Sequence, residues 1–284
     1  MKSKVLVNLV LVLLLTGLVL YAYFRPKERP DPGVRLTQLK REEITRITVE
    51  GRGSRPIQLQ KRDGVWRISA PLQTRADPIQ VDRLTDIVTA TAKHKLPPGD
   101  PGGYELDPPQ LKLTLNDQAF AFGRINDVTN EQYVATGGQV YLVAPFHGYG
   151  IPIEITKLVS RKLLDDAEVP VAFDFGSYRI VRDDRGTWTI EGVYPAPRGK
   201  PPSQDDFNRW ADEWRLTSSL GAKPSRTRGK DRLVVQFKGG KKVTMEIVQT
   251  KPEFLLVRDD EKMQYRFGSE VGKRLLDPRV VAEK

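Results

Sequence analysis

The 284-residue sequence contains no cysteine and only two histidines, and these absences exclude several kinds of site. Without cysteine there is no disulfide, no thiolate ligand for iron–sulfur clusters and no lipid-modified cysteine. A structural zinc site needs four ligands and a catalytic one usually three plus water, so two separated histidines would need distant carboxylates as partners. The sequence therefore predicts no metal site and no cofactor.

The surroundings of both histidines favour roles other than metal binding. His94 lies between Lys93 and Lys95 near a predicted helix end, which is typical of an exposed residue. His147 lies in the glycine-rich segment 146–150, which is typical of a flexible connection. A binding role for His147 is the alternative interpretation.

The sequence also lacks the usual catalytic motifs. It has no nucleophile elbow, Walker loop, His-Glu-x-x-His or Ser-x-x-Lys arrangement. Glycoside hydrolysis needs two carboxyls facing each other across a cleft, whereas the acidic pairs of this chain are adjacent in sequence. We interpret these pairs as structural, because three of the four fall where turns or helix termini are expected; the pairs are Asp165-Asp166, Asp183-Asp184, Asp205-Asp206 and Asp259-Asp260. The four tryptophans fall on predicted hairpins and helix faces, which indicates core packing rather than sugar binding. We predict no catalytic residue.

One long apolar run is present, over residues 5–24, and it contains no charge. At about 1.5 Å per residue, its length matches a bilayer hydrocarbon core of roughly 30 Å. Tyr21 and Tyr23 stand at its end, where aromatic rings prefer the membrane interface. The sequence therefore predicts a transmembrane anchor over residues 1–25, with residues 5–24 in contact with the lipid bilayer.

A cleaved signal peptide is the alternative to an anchor. Its apolar part would be shorter, about 7–15 residues, and would end in a small-x-small site, which residues 19–23 lack. Lysine and arginine occur on both sides of the run, and a simple count of these charges places the large domain in the cytoplasm. Because a long C-terminal domain is exported largely regardless of flanking charge, we favour an extracytoplasmic body.

The net charge of +10 suits an anionic partner or a membrane surface, and an exported protein is not expected to meet nucleic acid. The positive charge is densest between residues 223 and 242. The basic residues there, which we call the basic segment, are Lys223, Arg226, Arg228, Lys230, Arg232, Lys238, Lys241 and Lys242. Charged side chains also protect edge strands from aggregation, so a solvated edge is the alternative to contact with an anion or a partner.

An internal repeat indicates the architecture. Asp63-Gly64 predicts a tight hairpin followed by Trp66, and the same pattern recurs 122 residues later with a turn before Trp188. In each copy a capped helix follows, beginning after Asp77 in the first and after Ser203 in the second.

Later elements also correspond between the copies. Predicted strands 111–115 and 132–142 match 233–237 and 254–267, and a terminal helix with Leu-Leu-Asp at 161–165 matches 273–277. The sequence therefore predicts an α+β fold with two repeated modules of antiparallel sheet and packed helices, over residues 36–166 and 167–284.

Several short motifs resemble those of the DUF4340 family, a bacterial membrane-anchored domain of unknown function. The similarity includes Trp66-x-Ile68, Pro71, Ala76-Asp77 and Val81-x-x-Leu84. Residues 104–108, Tyr-Glu-Leu-Asp-Pro, resemble the family's Tyr-Gly-Leu-x-x-Pro element, with Glu105 in place of glycine. The resemblance covers about residues 36–165 and is weaker over the second copy, where this element is missing.

The resemblance implies one N-terminal span in the bacterial inner membrane and a periplasmic body. Many relatives are encoded beside transporter components similar to the gliding-motility ABC system, and no catalytic residues are established for the family. We therefore expect a non-enzymatic scaffold or accessory subunit of a membrane complex such as an ABC transporter. A binding module for an anionic envelope ligand, and an enzyme with a site between the two copies, are the alternatives.

Overall fold

Two antiparallel sheets form most of the computed structural model, which describes residues 2–24, 33–93, 95–97, 101–195 and 201–280. We refer to residues 36–166 as the first module and to residues 167–280 as the second module. A small two-stranded sheet precedes them, in which β1 (Val34–Arg35) pairs with β6 (Thr91–Ala92). The α+β class predicted from the sequence is confirmed.

The sheet of the first module has nine strands. They are β2 (Arg46–Gly51), β3 (Ile57–Arg62), β4 (Val65–Ala70), β5 (Thr74–Arg75), β7 (Lys95–Leu96), β8 (Leu111–Leu115), β9 (Gln118–Ile125), β10 (Gln132–Thr136) and β11 (Gln139–Val143). Their order across the sheet is β5-β4-β3-β2-β8-β9-β10-β11-β7.

The sheet of the second module has eight strands. They are β12 (Pro170–Asp174), β13 (Tyr178–Arg182), β14 (Trp188–Gly192), β15 (Gly221–Pro224), β16 (Asp231–Phe237), β17 (Lys242–Gln249), β18 (Glu253–Arg258) and β19 (Met263–Gly268). Their order is β14-β13-β12-β16-β17-β18-β19-β15.

The two sheets share one topology. When β4 is aligned with β14, every following strand has a counterpart. The series β4-β3-β2-β8-β9-β10-β11-β7 of the first sheet corresponds to β14-β13-β12-β16-β17-β18-β19-β15 of the second. In both sheets the strand that comes just before the four-strand meander pairs with the last strand of that meander. This common order supports the duplication inferred from the sequence.

Six α-helices occur in the described residues, together with two short 3-10 helices at Arg41–Glu43 and Asp86–Thr89. The α-helices are α1 (Lys2–Phe24), α2 (Pro78–Thr85), α3 (Phe146–Tyr149), α4 (Ile155–Leu158), α5 (Gln204–Leu216) and α6 (Ser269–Leu276). Asp77 caps α2 by accepting from Ile79 N and Gln80 N, and Ser203 forms a capping box with Asp206 at α5. Both predicted helix starts are thus confirmed, although Gln80 makes no reciprocal bond that would complete a capping box at Asp77.

The predicted hairpin turns are also present. Asp63 and Gly64 have φ values of 51° and 80°, the left-handed conformation that a two-residue turn between twisted strands requires. The second hairpin turns at Gly186, where φ is 87°. Sequence alone located both turns because their chemistry is local.

The tryptophans of the second module form its core, as predicted. Trp188, Trp210 and Trp214 are fully buried, and Phe173 packs against all three rings. The indole nitrogens of Trp210 and Trp214 both donate to Leu275 O at 2.9 Å, which joins α5 to α6. Buried indole N–H groups need such an acceptor, so these bonds fix the two helices against each other. Trp66 in the first module is half-buried and packs at the edge of the core.

Helix α1 covers the apolar run expected to be helical, and the described apolar side chains from Val10 to Phe24 are exposed. Among the residues that the structure describes, no helix combines the length and apolar character needed to cross a bilayer. The transmembrane anchor over residues 1–25 stays a prediction.

One predicted element is wrong. Residues 161–165, expected to form a terminal helix like that at 273–277, are not helical. Leu163 and Leu164 are buried, and the carbonyl oxygens of Lys162 and Leu163 accept hydrogen bonds from arginine side chains. Within a helix these carbonyl oxygens would accept from backbone N–H groups, whereas here they accept from the two arginines.

Candidate functional site

A groove of about 630 Å³ opens on the first module between α2, α3 and the turn that contains Arg41. Its accessible surface is mostly apolar. Ile79, Phe146 and Tyr149 line it with relative exposures of 65%, 66% and 81%. Large apolar side chains grouped around one concave surface are uncommon on a monomer and mark interaction sites. We call this surface the α2–α3 groove.

Charged residues at the base of the α2–α3 groove largely compensate each other. Asp86 accepts a hydrogen bond from Arg41 Nη2 at 3.3 Å, and its other oxygen lies 3.0 Å from His147 Nδ1. Asp82 lies 3.8 Å from Arg41 Nη1. Arg83, also in the groove wall, is exposed and makes no ion pair with any described residue. The groove is therefore apolar inside with one uncompensated positive charge at its rim.

His147 does not lie in a flexible connection, so that interpretation was wrong. It belongs to α3 and is 7% exposed. Gly148 is there for close packing, because a Cβ at this position would meet Gln132 Oε1 at 2.2 Å. Burial lowers the pKa of His147, and the nearby Asp86 carboxylate acts in the opposite direction. His94 lies outside the described residues.

The lining of the α2–α3 groove contains few groups that act as nucleophiles. No serine, threonine or cysteine is among its described lining residues, and Tyr149 supplies their one hydroxyl. The described part of the chain also contains no group of three His, Asp or Glu residues placed to hold a metal ion. The arrangement suits binding of an apolar group.

The basic segment does not form one cluster. Lys230 and Lys238 flank the seven-residue strand β16, so these two lysines lie about 25 Å apart. Between β15 and β16 the chain crosses the face of the sheet opposite the helices, where Gly229 N donates to Glu246 Oε2 at 2.8 Å. We grouped these basic residues only because they are close to one another in the chain.

Two residues of the basic segment are neutralised within the protein. Arg232 Nη2 lies 3.6 Å from Glu246 Oε1, and Lys241 Nζ lies 2.7 Å from Glu168 Oε1. The other six are exposed and form no ion pair among the described residues; they are Lys223, Arg226, Arg228, Lys230, Lys238 and Lys242. These six stay candidates for contact with an anion.

A buried ionic joint connects the two modules, and no sequence pattern predicted it. Arg75, at the edge of the first sheet, is 2% exposed and its Nε donates to Glu261 Oε1 at 2.6 Å. Its Nη2 donates to Tyr265 OH at 3.0 Å and to Leu163 O at 3.1 Å. Thus one side chain of the first module reaches the β18–β19 turn of the second and the segment that links them.

Arg258 completes the joint from the second module. It is 1% exposed, and it donates to both carboxylate oxygens of Glu168 at 2.7 and 2.6 Å and to Leu163 O at 2.7 Å. Asp260 accepts from the same guanidinium at 2.8 and 3.0 Å. With Arg75, Glu261 and Lys241 included, the joint holds three cations and three carboxylates, so its charges balance, although the buried Nη1 of Arg75 has no hydrogen-bond partner among the described residues.

The adjacent acidic pairs have structural roles, as predicted. Asp183 accepts from Arg185 N and Thr187 N in the second hairpin turn, and Asp206 accepts from Ser203 N in the capping box of α5. Asp260 binds Arg258 in the joint. No paired-carboxylate cleft forms from these residues.

Comparison with known proteins identifies the family. The model of a domain of unknown function, DUF4340, matches residues 66–216, which is just over half of the 284 residues. The chain belongs to the DUF4340 family. No curated protein and no solved structure shows significant similarity to it. The DUF4340 match begins in β4 of the first module and ends with α5 of the second, so it extends past residue 165, where the strong resemblance in the sequence ends.

The Tyr-Gly-Leu-x-x-Pro element of DUF4340 proteins corresponds here to a loop that crosses the first sheet. Tyr104 stacks on Tyr133 with ring centroids 4.3 Å apart, and its carbonyl oxygen accepts from Arg124 N at 3.0 Å. A Cβ on Gly123 would lie 2.1 Å from that oxygen, so glycine lets the loop approach the sheet. Glu105 has a φ of 54°, which explains a glycine at this position in the family.

Proposed function

We propose that this DUF4340 protein is a non-enzymatic, membrane-anchored scaffold or accessory subunit of a membrane complex such as an ABC transporter. Helix α1 anchors it in the bacterial inner membrane, and both modules lie in the periplasm. The proposal rests on the joint between the modules: Arg75 forms a buried ion pair with Glu261 of the second module, and Arg258 of the second module shares the acceptor Leu163 O with Arg75.

A rigid joint supports a scaffold because it fixes the surfaces of the two modules relative to each other. Enzymes whose sites lie between modules usually open and close around their substrate. Removing one partner from a buried ion pair costs about 3–5 kcal/mol, so opening this joint would be expensive. The exposed apolar side chains of α1, which range from 50% to 73% exposed between Val10 and Phe24, support insertion into a bilayer.

Gentle extraction from membranes tests this function. We expect the full chain, solubilised in a mild detergent, to co-purify with a transporter permease or another integral membrane protein in a defined ratio. Recovery of a lone monomer under the same conditions would count against the proposal. Protease protection of intact cells tests the orientation, since a periplasmic body is cleaved only after the outer membrane is opened.

Binding of an anionic envelope ligand is the second candidate function, and the six unpaired basic residues support it. Reversing Arg226, Arg228 and Lys230 to glutamate should weaken binding of the full chain to anionic vesicles and reduce its dependence on salt. The matched control reverses Arg62, Arg67 and Lys112, which are exposed on the first module. If both triple variants bind alike, this function is excluded for the start of the basic segment.

A further inference from the structure

We propose that the α2–α3 groove is the docking site for an amphipathic helix of a membrane-protein partner, whose apolar side chains contact Phe146 and Tyr149 and whose carboxylate pairs with Arg83. This inference rests on the proposed scaffold function and names the surface that serves it. Such helix-in-groove contacts use apolar anchors at helical spacing and a few charges that set the register.

The shape and composition of the groove fit this occupant. The groove, with a volume of about 630 Å³, has room for several apolar side chains. It is open on one side, so a helix can lie along it with its polar face in solvent. Phe146 and Tyr149 stand on one turn of helix, which presents them without flexible backbone. Aromatic side chains dominate the energetics of interfaces because they bury large areas and have few rotatable bonds.

The charges that line the groove indicate which charge the partner helix should carry. Ile79, Asp82 and Arg83 follow each other at helical spacing on α2, so they present one face. Asp82 and Asp86 are already within 4 Å of Arg41, whereas Arg83 has no described partner. A carboxylate on the incoming helix would pair with Arg83, while a cation there would be repelled.

The position of the groove favours a partner in the same membrane. Strand β1 pairs with Thr91–Ala92, directly after the turn that carries Asp86, and only residues 36–40 separate β1 from Arg41. The nine residues between Phe24 and Val34 span at most about 30 Å when extended. With α1 in the bilayer, this length keeps the groove close to the membrane surface.

Photocrosslinking in cells tests the site with the full chain. A photoreactive phenylalanine, p-benzoylphenylalanine, replaces Phe146 or Tyr149, and in the matched control it replaces Val128 or Val193, which are 93% and 80% exposed. We expect crosslinks from positions 146 and 149 to one integral membrane protein, mapped by mass spectrometry to an acidic amphipathic helix, at ten times the control yield or more. Adducts with lipid or with a second copy of this chain would overturn the inference.

Charge reversal gives a second, independent measurement. Arg83→Glu should lower the crosslink yield at position 149 at least tenfold, and lysine in place of the partner's acidic residue should restore it. Arg62→Glu, an exposed arginine on the β3–β4 hairpin, should leave the yield unchanged. If a complex is purified but neither Phe146→Ala nor Arg83→Glu weakens it, the scaffold function stands and this docking site is wrong; if only a monomer is recovered, both fail.

Discussion

Arg75 and Glu261 form a buried ion pair at 2.6 Å although 186 residues separate them in the chain. The pair lies where the edge of the first sheet meets the β18–β19 turn of the second. Because Arg75 also donates to Leu163 O, the same guanidinium holds both modules and the segment between them. This guanidinium acts together with backbone contacts between the modules, such as the hydrogen bond from Ser219 N to Arg161 O at 2.9 Å.

Removing one partner of this pair should therefore be costly. We expect Arg75→Met or Glu261→Met to lower the free energy of unfolding by about 3–5 kcal/mol, because each leaves a buried charge without its partner. The double variant should lose clearly less than the sum of the two. Urea denaturation of the detergent-solubilised chain measures these differences. The control pair Arg46 and Asp117, which is exposed, should change stability by no more than about 0.5 kcal/mol when truncated. Additive losses at the buried pair would contradict the proposed coupling.

Glu168 should make stability depend on pH in the acid range. Burial acts to raise its pKa, but hydrogen bonds and charge from Arg258, with Asp165 N–H and Lys241, outweigh burial and lower the pKa. Since the folded pKa lies below the unfolded value of about 4.3, the contribution is complete above that pH and is lost as pH falls further. We expect Glu168→Gln to reduce the slope of unfolding free energy against pH between about pH 5 and 2. Glu154→Gln, which removes an exposed carboxylate, is the matched control. Equal slopes in wild type and Glu168→Gln would contradict the assignment.

Glu105 occupies a backbone conformation that suits glycine. At a φ of 54° a non-glycine residue costs roughly 1 kcal/mol, so Glu105→Gly should raise the unfolding free energy by about 0.5–1 kcal/mol. Both variants lose the exposed bond from Gln110 Nε2 at 2.8 Å, but only alanine keeps the strained backbone, so Glu105→Ala should lower the unfolding free energy. Thermal unfolding of the two variants side by side measures this difference. A higher stability for Glu105→Ala than for Glu105→Gly would disprove the explanation for the family glycine.

Gly123 should not tolerate a side chain. Gly123→Ala would place a Cβ 2.1 Å from Tyr104 O, and relieving that contact moves backbone, so we expect a loss of about 1–3 kcal/mol. Gly221→Ala is the control, because the nearest atom to its added Cβ is Arg266 Nη2 at 4.0 Å. A urea midpoint for Gly123→Ala equal to that of Gly221→Ala would show that the loop moves aside freely.

The sequence predicted those parts of the fold that depend on nearby residues. Asp63-Gly64 determines a turn and Asp77 a helix start through bonds that span two or three residues, so both were found. The tryptophan core was found because its residues recur at helical and strand spacing.

The site depended on contacts that no local pattern contains. Nothing near Arg75 in the sequence points to Glu261, and the apolar residues 163 and 164 suggested a helix although their segment supplies carbonyl acceptors. The basic segment illustrates the opposite error. Its lysines and arginines are close in the sequence, but strand β16 separates those before it from those after it in space. Phe146 and Tyr149 offered one usable signal, since two aromatic residues flanking His-Gly are unusual in a simple connection.

The joint also has a consequence for biosynthesis. Arg75 leaves the ribosome long before Glu261, and at about 5–20 residues per second the 186 residues between them take roughly 10–40 seconds to make. Throughout that interval the arginine at the edge of the first sheet has no Glu261 to pair with. A chain that is cut or stalled before the β18–β19 turn lacks Glu261. We expect such a chain to remain a substrate for quality-control proteases, because Arg75 stays without its acidic partner.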